Sequence, residues 1–256
     1  MVLSGVFDGD VGPRSSCAME VLEARRQSIA SGRWRFLNQS HGNGVVVLSP
    51  EEPCFGREGD ALVTTLPGAP VAVFAADCAL VGLASPQGVV AAAHVGWRSL
   101  LAGVLEATAM TMRSEGAAQL VAVLGPCIGP ECYEFGESDL EPLEARYGPS
   151  VRSKTAEGRP ALDLRAGVLR ALEALSVSVS SDEAQCTACR PGWFSWRARN
   201  DTGRHCLVVA GERGVPGRGL RASTSRASGS SPHVPLRRGT GSRTPEAIPS
   251  WSGSWR

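Results

Sequence analysis

Apolar positions along this chain recur with two different periods, and the switches between them predict the elements. Helical spacing marks residues 18–30, 98–113, 138–146 and 162–175. In the second of these, Leu101, Val104, Leu105, Thr108 and Met112 share one face. Short apolar or β-branched runs predict strands at 45–48, 61–66, 71–76, 89–93, 120–124, 177–179 and 205–210. Ser85-Pro86-Gln87-Gly88 reads as a turn between 71–76 and 89–93, and so tight a connection predicts an antiparallel pair. The pair Asn43-Gly44 marks a second tight turn before 45–48. Residues 1–16 read as an irregular or edge segment and 51–59 as a loop. Helices and strands both recur without a simple βαβ repeat, so the expectation is an α+β sandwich rather than a doubly wound sheet.

After Ala210 the periodicity stops. Residues 211–256 are rich in Gly, Ser, Pro and Arg with few aliphatic side chains, too little apolar surface to offset ordering entropy. The expected organisation is one catalytic domain over 1–210 and a disordered tail over 211–256.

Composition narrows the classes further. The chain has 256 residues, 43% of them hydrophobic but only 5% aromatic, so its core must rest on Ala, Val and Leu. A formal net charge of +1 gives no general attraction to nucleic acid or an anionic membrane. No apolar run reaches the roughly 18 residues needed to span a bilayer. The N-terminus lacks a basic region followed by an apolar stretch, which makes the cytoplasm the expected compartment. Eight unevenly spaced cysteines in a chain of this length do not suggest a secreted disulfide framework. Cys17, Cys54 and Cys206 are expected as small buried hydrophobes. Nothing in the sequence sets an oligomeric state.

Candidate chemistry concentrates between Val71 and Met112, where two apolar runs deliver Cys78, preceded by Asp77, and His94, preceded by three alanines. His41 and His94 both sit beside glycines at strand–turn junctions, where backbone can approach a ligand closely. His41, Cys78 and His94 offer three N/S ligands, the number a catalytic zinc takes while keeping a fourth position for water. Their spacing matches no local metal signature, and a metal-free Cys78 nucleophile with His94 as its base fits equally. Arg98 opens a helix four residues after His94, placed for an anion. Arg197, Arg199 and Arg204 cluster with Phe194 and Trp196, aromatic rings able to stack on a base or sugar. Cys186-Thr-Ala-Cys189 is a lone C-x-x-C, weak evidence for metal or redox work, and Cys127 and Cys132 read as packing residues.

The ordered series NQSHG, ADCALV, AAAHVGWR, LGPCIGPECYEFG, LDLRAG, CTAC, FSWRAR and TGR, spread over residues 5–210, resembles the bacterial laccase-domain family, described also as polyphenol oxidases and purine nucleoside phosphorylases. The resemblance implies a single-domain α/β/β/α sandwich of mixed, largely antiparallel sheets. It places metal ligands on His41, Cys78 and His94, with zinc the usual ion and copper reported for oxidase activity. It implies small-molecule substrates: phosphorolysis of adenosine, inosine, guanosine and methylthioadenosine, and deamination of adenosine. Arg98 and Arg197 would then hold phosphate, and Asp77 would orient a ligand histidine. Two alternatives accompany this reading, a copper-dependent phenol oxidase and a metal-free Cys–His hydrolase editing peptidoglycan precursors. The chain departs from the family pattern at Val95, Ser99 and Gly167, the last standing where an Asn is common.

Overall fold

The computed structural model describes residues 1–5, 8–50 and 56–211. Cys54, His233 and the expected tail from 212 onward lie outside the described residues. Eleven strands and six α-helices are present among them. In chain order they are β1 (Val2–Leu3), α1 (Met19–Ile29), β2 (Val45–Val47), β3 (Ala61–Thr64), β4 (Val71–Ala75), β5 (Ala79–Ala84) and β6 (Val90–Val95). There follow α2 (Trp97–Ala102), α3 (Val104–Ser114), β7 (Val121–Leu124), α4 (Glu137–Tyr147), β8 (Arg152–Lys154) and β9 (Pro160–Leu162). The last are α5 (Leu164–Ala174), β10 (Ser178–Asp182), α6 (Trp196–Arg199) and β11 (His205–Val209).

The strands make a six-stranded sheet of order β10-β7-β5-β6-β3-β2, a three-stranded sheet β1-β11-β4, and a separate β8-β9 hairpin. Only β2–β3 and β7–β10 pair in parallel; the other pairs are antiparallel. Strand periodicity assigns the layers. On β4, Val71, Val73 and Ala75 join Leu207 and Val209 in facing Leu62, Leu80, Val90 and Ala92 of the larger sheet. Ala72 and Phe74 point the other way, into a small outer core with Trp34, Val11 and Ile29. The far face of the large sheet buries Val63, Val81, Leu83, Ala91 and Ala93 against Leu100, Leu105, Met112, Leu143 and Leu172. The result is helix, sheet, sheet, helix, as expected for an α+β sandwich in one domain.

Three expectations change. The strand entering the 85–88 turn is β5, not β4: β5 pairs with β6, while β4 pairs with β11 in the other sheet. The break falls at Asp77, whose φ of 100° turns the chain from one sheet to the other. The helix expected over 98–113 is two, α2 and α3, divided at Gly103, which adopts a left-handed φ of 85°. The hairpin β8–β9 had no counterpart in the sequence reading. Gly167, where the family often has Asn, lies in α5 so close to α2 that a Cβ would stand 2.7 Å from Leu100 Cδ2.

Candidate metal centre

The site lies where three chain segments meet at one end of the two sheets. The 38–44 loop is fastened by Gln39, whose side chain donates to the Phe74 carbonyl at 2.8 Å and accepts from its N–H at 2.9 Å. His41 then takes a left-handed φ of 61°, which a non-glycine residue holds only when its surroundings demand it. That demand comes from Asp60, immediately before β3. Its buried carboxylate accepts the backbone N–H groups of His41 (3.0 Å) and Gly42 (2.7 Å) and the Ser40 hydroxyl (3.2 Å). The same carboxylate meets His94 Nδ1 at 2.8 Å. One acid therefore positions two of the three donors, and it leaves Nε2 of His94 as that ring's free nitrogen.

Cys78 arrives from the sheet crossover at Asp77. The Asp77 carboxylate accepts from Thr187 Oγ1 and from the Arg197 N–H, each at 2.7 Å, and its carbonyl accepts from Ile128 N–H at 2.8 Å. Asp77 thus holds the turn that carries Cys78 and does not orient a ligand histidine, the expectation from sequence. The carboxylate in that position is Asp60. Gly96 closes the site from the α2 side: a Cβ there would sit 2.9 Å from His41 Cδ2 and 3.1 Å from Cys78 Sγ.

His41, Cys78 and His94 present donor atoms within 4.8 Å of one another. Cys78 Sγ lies 3.9 Å from His41 Nε2, and the two imidazoles meet edge to face with centroids 4.8 Å apart. Bonds of about 2.3 Å to sulfur and about 2.1 Å to nitrogen around a tetrahedral ion require an S···N edge of about 3.6 Å. The Cys78–His41 separation lies a few tenths of an ångström above that edge, and the donor set suits a zinc-class ion.

Charge in this cluster is correlated. Burial disfavours the Cys78 thiolate, but the neighbouring His94 charge and the hydrogen bond from His41 outweigh it and hold the thiol at about 6. Burial likewise disfavours the His94 imidazolium, yet the Cys78 thiolate and the Asp60 carboxylate raise it to about 9. Burial alone would also raise the Asp60 carboxyl; its bonds to His94, Gly42 and His41 bring it below the usual range. Both shifts favour a thiolate–imidazolium pair when no metal is bound, and a metal ion would take His94 in its neutral form.

The arginines divide into structural and free. Arg199 is consumed by the carbonyls of Thr187, Ala188 and Trp193 and by Asp201, and Arg204 by the carbonyls of Asp201, Thr202 and Gly203. Arg98 and Arg197 are exposed and pair with no carboxylate among the described residues. Each instead lies over an aromatic ring, Arg98 over Trp97 at 4.6 Å and Arg197 over Tyr133 at 5.1 Å. Phe194 is half-buried and stacked on buried His205, whereas Trp196 is 53% exposed.

The profile of the multi-copper polyphenol oxidoreductase laccase family matches residues 15–212. The chain belongs to that family. Among laccase-family relatives, a purine nucleoside phosphorylase of Streptomyces coelicolor is 38% identical over 208 residues, 79% of this chain and 84% of its own length. A purine nucleoside phosphorylase of Deinococcus radiodurans is 37% identical over 237 residues, covering 88% and 90% of the two chains. The crystal structure of a hypothetical protein, YfiH, from Bacillus licheniformis superposes with a TM-score of 0.71 at 22% identity over 79% of this chain and 85% of that one, and so shares the fold.

Within this laccase-family site the sequence reading missed Asp60, Gly96 and Tyr133. Asp60 had one faint signal, an acid abutting an apolar strand. Its partners stand 18 to 34 residues away, so no local pattern exposes its role. Cys132 packs against the main core, as expected from sequence, and its thiol also stands beside the C-x-x-C pair, 3.4 Å from Cys189 Sγ.

Proposed function

We propose that this protein is a zinc-dependent purine nucleoside enzyme, acting by phosphorolysis on adenosine, inosine, guanosine and methylthioadenosine and deaminating adenosine. The observation that carries the reading is the three-donor face of His41, Cys78 and His94 held by the single buried carboxylate of Asp60. The names of the relatives support the nucleoside class. A zinc ion bound there supplies Lewis acidity and lowers the pKa of a water to about 7.

The remaining work falls to side chains. Arg98 and Arg197 bind and orient phosphate as bidentate donors, free of competing carboxylates among the described residues. In phosphorolysis a phosphate oxygen bonds to C1′ of the ribose as the C1′–N9 bond breaks. The purine leaves with a proton and ribose 1-phosphate remains. In deamination a water oxygen replaces the C6 amino group, which leaves as ammonia. Trp196 offers an exposed indole face to the base.

The test is incubation of the protein with adenosine, with and without phosphate, before and after chelation. Adenine and ribose 1-phosphate should form only with phosphate, inosine and ammonia without it, and both should stop on chelation and in Cys78→Ala. Absence of metal from protein purified without added metal, or absence of all four products, sinks the proposal. Phenol oxidation gained on copper loading, with no nucleoside turnover, would move the assignment to the oxidase chemistry of the family description.

One observation favours a second reading. The Cys78 thiol held at about 6 beside an imidazolium is the arrangement of a cysteine nucleophile and its base. Hydrolysis of peptidoglycan precursors that survives chelation and is lost in Cys78→Ser would select it.

A further inference from the structure

A second group of donors stands apart from His41, Cys78 and His94 and is used by neither reading. Glu131 and Cys132 lie in a 3-10 turn, Pro130–Cys132, and Cys186 and Cys189 in the turn that follows β10. Their donor atoms lie within 4.8 Å of one another. Cys132 Sγ is 3.4 Å from Cys189 Sγ, which is 3.4 Å from Glu131 Oε1.

We propose that Cys132, Cys186, Cys189 and Glu131 hold a second, structural metal ion, a divalent cation of the zinc class. Three further observations support it. A tetrahedral ion with bonds of about 2.3 Å to sulfur and about 2.1 Å to oxygen sets donor–donor edges of about 3.6–3.8 Å, within a few tenths of an ångström of the Cys132–Cys189 and Cys189–Glu131 spacings. The two-residue spacing of Cys186 and Cys189 lies on a turn closed by Arg190 N–H to the Cys186 carbonyl at 3.1 Å, and both sulfurs lie within the one donor group. The Gly129 N–H donates to Cys186 Sγ at 3.1 Å, a bond that fixes the orientation of that sulfur.

Among the described residues no arginine or lysine pairs with the Glu131 side chain, which folds back over Gly129, where a Cβ would collide with it. A carboxylate and three thiols whose donor atoms lie within 4.8 Å of one another form a donor set suited to a borderline-soft divalent ion.

The position also supplies a purpose. Thr187, between the two cysteines of the turn, donates to Asp77, the residue that carries Cys78 into the first site. Arg199 binds the Thr187 and Ala188 carbonyls from the segment that bears Arg197. An ion on Cys132, Cys186 and Cys189 would therefore pin the 186–199 segment against Asp77, joining residues 110 positions apart.

The experiment uses the full chain carrying Cys78→Ala, which removes the only thiol of the first group. The protein is stripped by chelation under reducing conditions and titrated with cobalt(II), then with zinc(II). The expected result is a thiolate-to-cobalt charge-transfer band that saturates at one ion per chain and is bleached by zinc. Zinc should also raise the melting temperature of this protein. Adding Cys186→Ser and Cys189→Ser should abolish both responses, and Glu131→Gln, a milder change, should weaken cobalt binding several-fold while keeping the band. No band in the Cys78→Ala protein overturns the proposal without reference to the multiple variants. So does a count of five free thiols, rather than the seven left of the eight cysteines, in protein unfolded without reductant and carrying no metal, which would assign Cys132 and Cys189 to a disulfide.

Discussion

Cys78 shows how a residue's neighbours overrule its solvation. Burial would keep its thiol neutral, yet His94 and His41 hold it at about 6, and Asp60 stands behind His94. In metal-stripped protein the Cys78 thiolate should persist from neutral pH down to about 6 and disappear below it. Alkylation rates, resolved by peptide mapping, should follow that titration, while buried Cys127 and Cys206, pushed up to about 12, stay unmodified. Asp60→Asn removes the charge that sustains the imidazolium. The Cys78 inflection should therefore move upward, toward the ordinary thiol range. An unchanged inflection would mean that Asp60 does not act through His94. Added zinc should protect Cys78 at every pH, since the metal takes the thiolate itself. From sequence, the three donors could be named and their partner acid could not, because Asp60 reaches them through tertiary contacts alone.

At the scale of elements, the site depends on where strands stop. Residues 71–84 are apolar almost throughout, and periodicity cannot show that they divide between two sheets. What divides them is Asp77 in a left-handed conformation, anchored by Thr187, Arg197 and Ile128. The start of α2 is equally constrained, since Gly96 presses against both His41 and Cys78. Gly96→Ala should leave the fold intact, as its φ of −81° suits alanine, but it should displace both donors. Zinc affinity, measured by competition with a chelating dye, should fall by about tenfold or more, comparable to loss of a supporting contact. Parent-like affinity would show that the close approach at Gly96 is incidental. The α2–α3 break at Gly103 is a related case. A helical run with a single glycine does not announce whether that glycine lies inside the helix or ends it.

Among the described residues, stability rests mainly on two largely aliphatic cores, one between the sheets and one between the large sheet and the helices, with a smaller aromatic one outside β4. Leu62 lies in the first and is 1% exposed, whereas Val47 on the neighbouring edge strand is 37% exposed. Leu62→Ala should cost about 2–5 kcal/mol in urea unfolding. Val47→Ala should stay within about 0.5 kcal/mol. Equal costs would mean that the inter-sheet layer is not the packed core described here.

Local periodicity and residue chemistry determined much of this protein. Most helices and strands, the α+β class, the aliphatic core and the reactive set of His41, Cys78 and His94 all follow from patterns within a few residues, reinforced by ordered family motifs. Other features were decided only in three dimensions. The assignment of β4 and β5 to different sheets, the carboxylate on His94, the task of Asp77 and the meeting of Cys132 with Cys186 and Cys189 each join positions far apart in the chain. Such contacts leave no period behind, because their energy comes from burial and hydrogen bonding that exist only once the layers have packed.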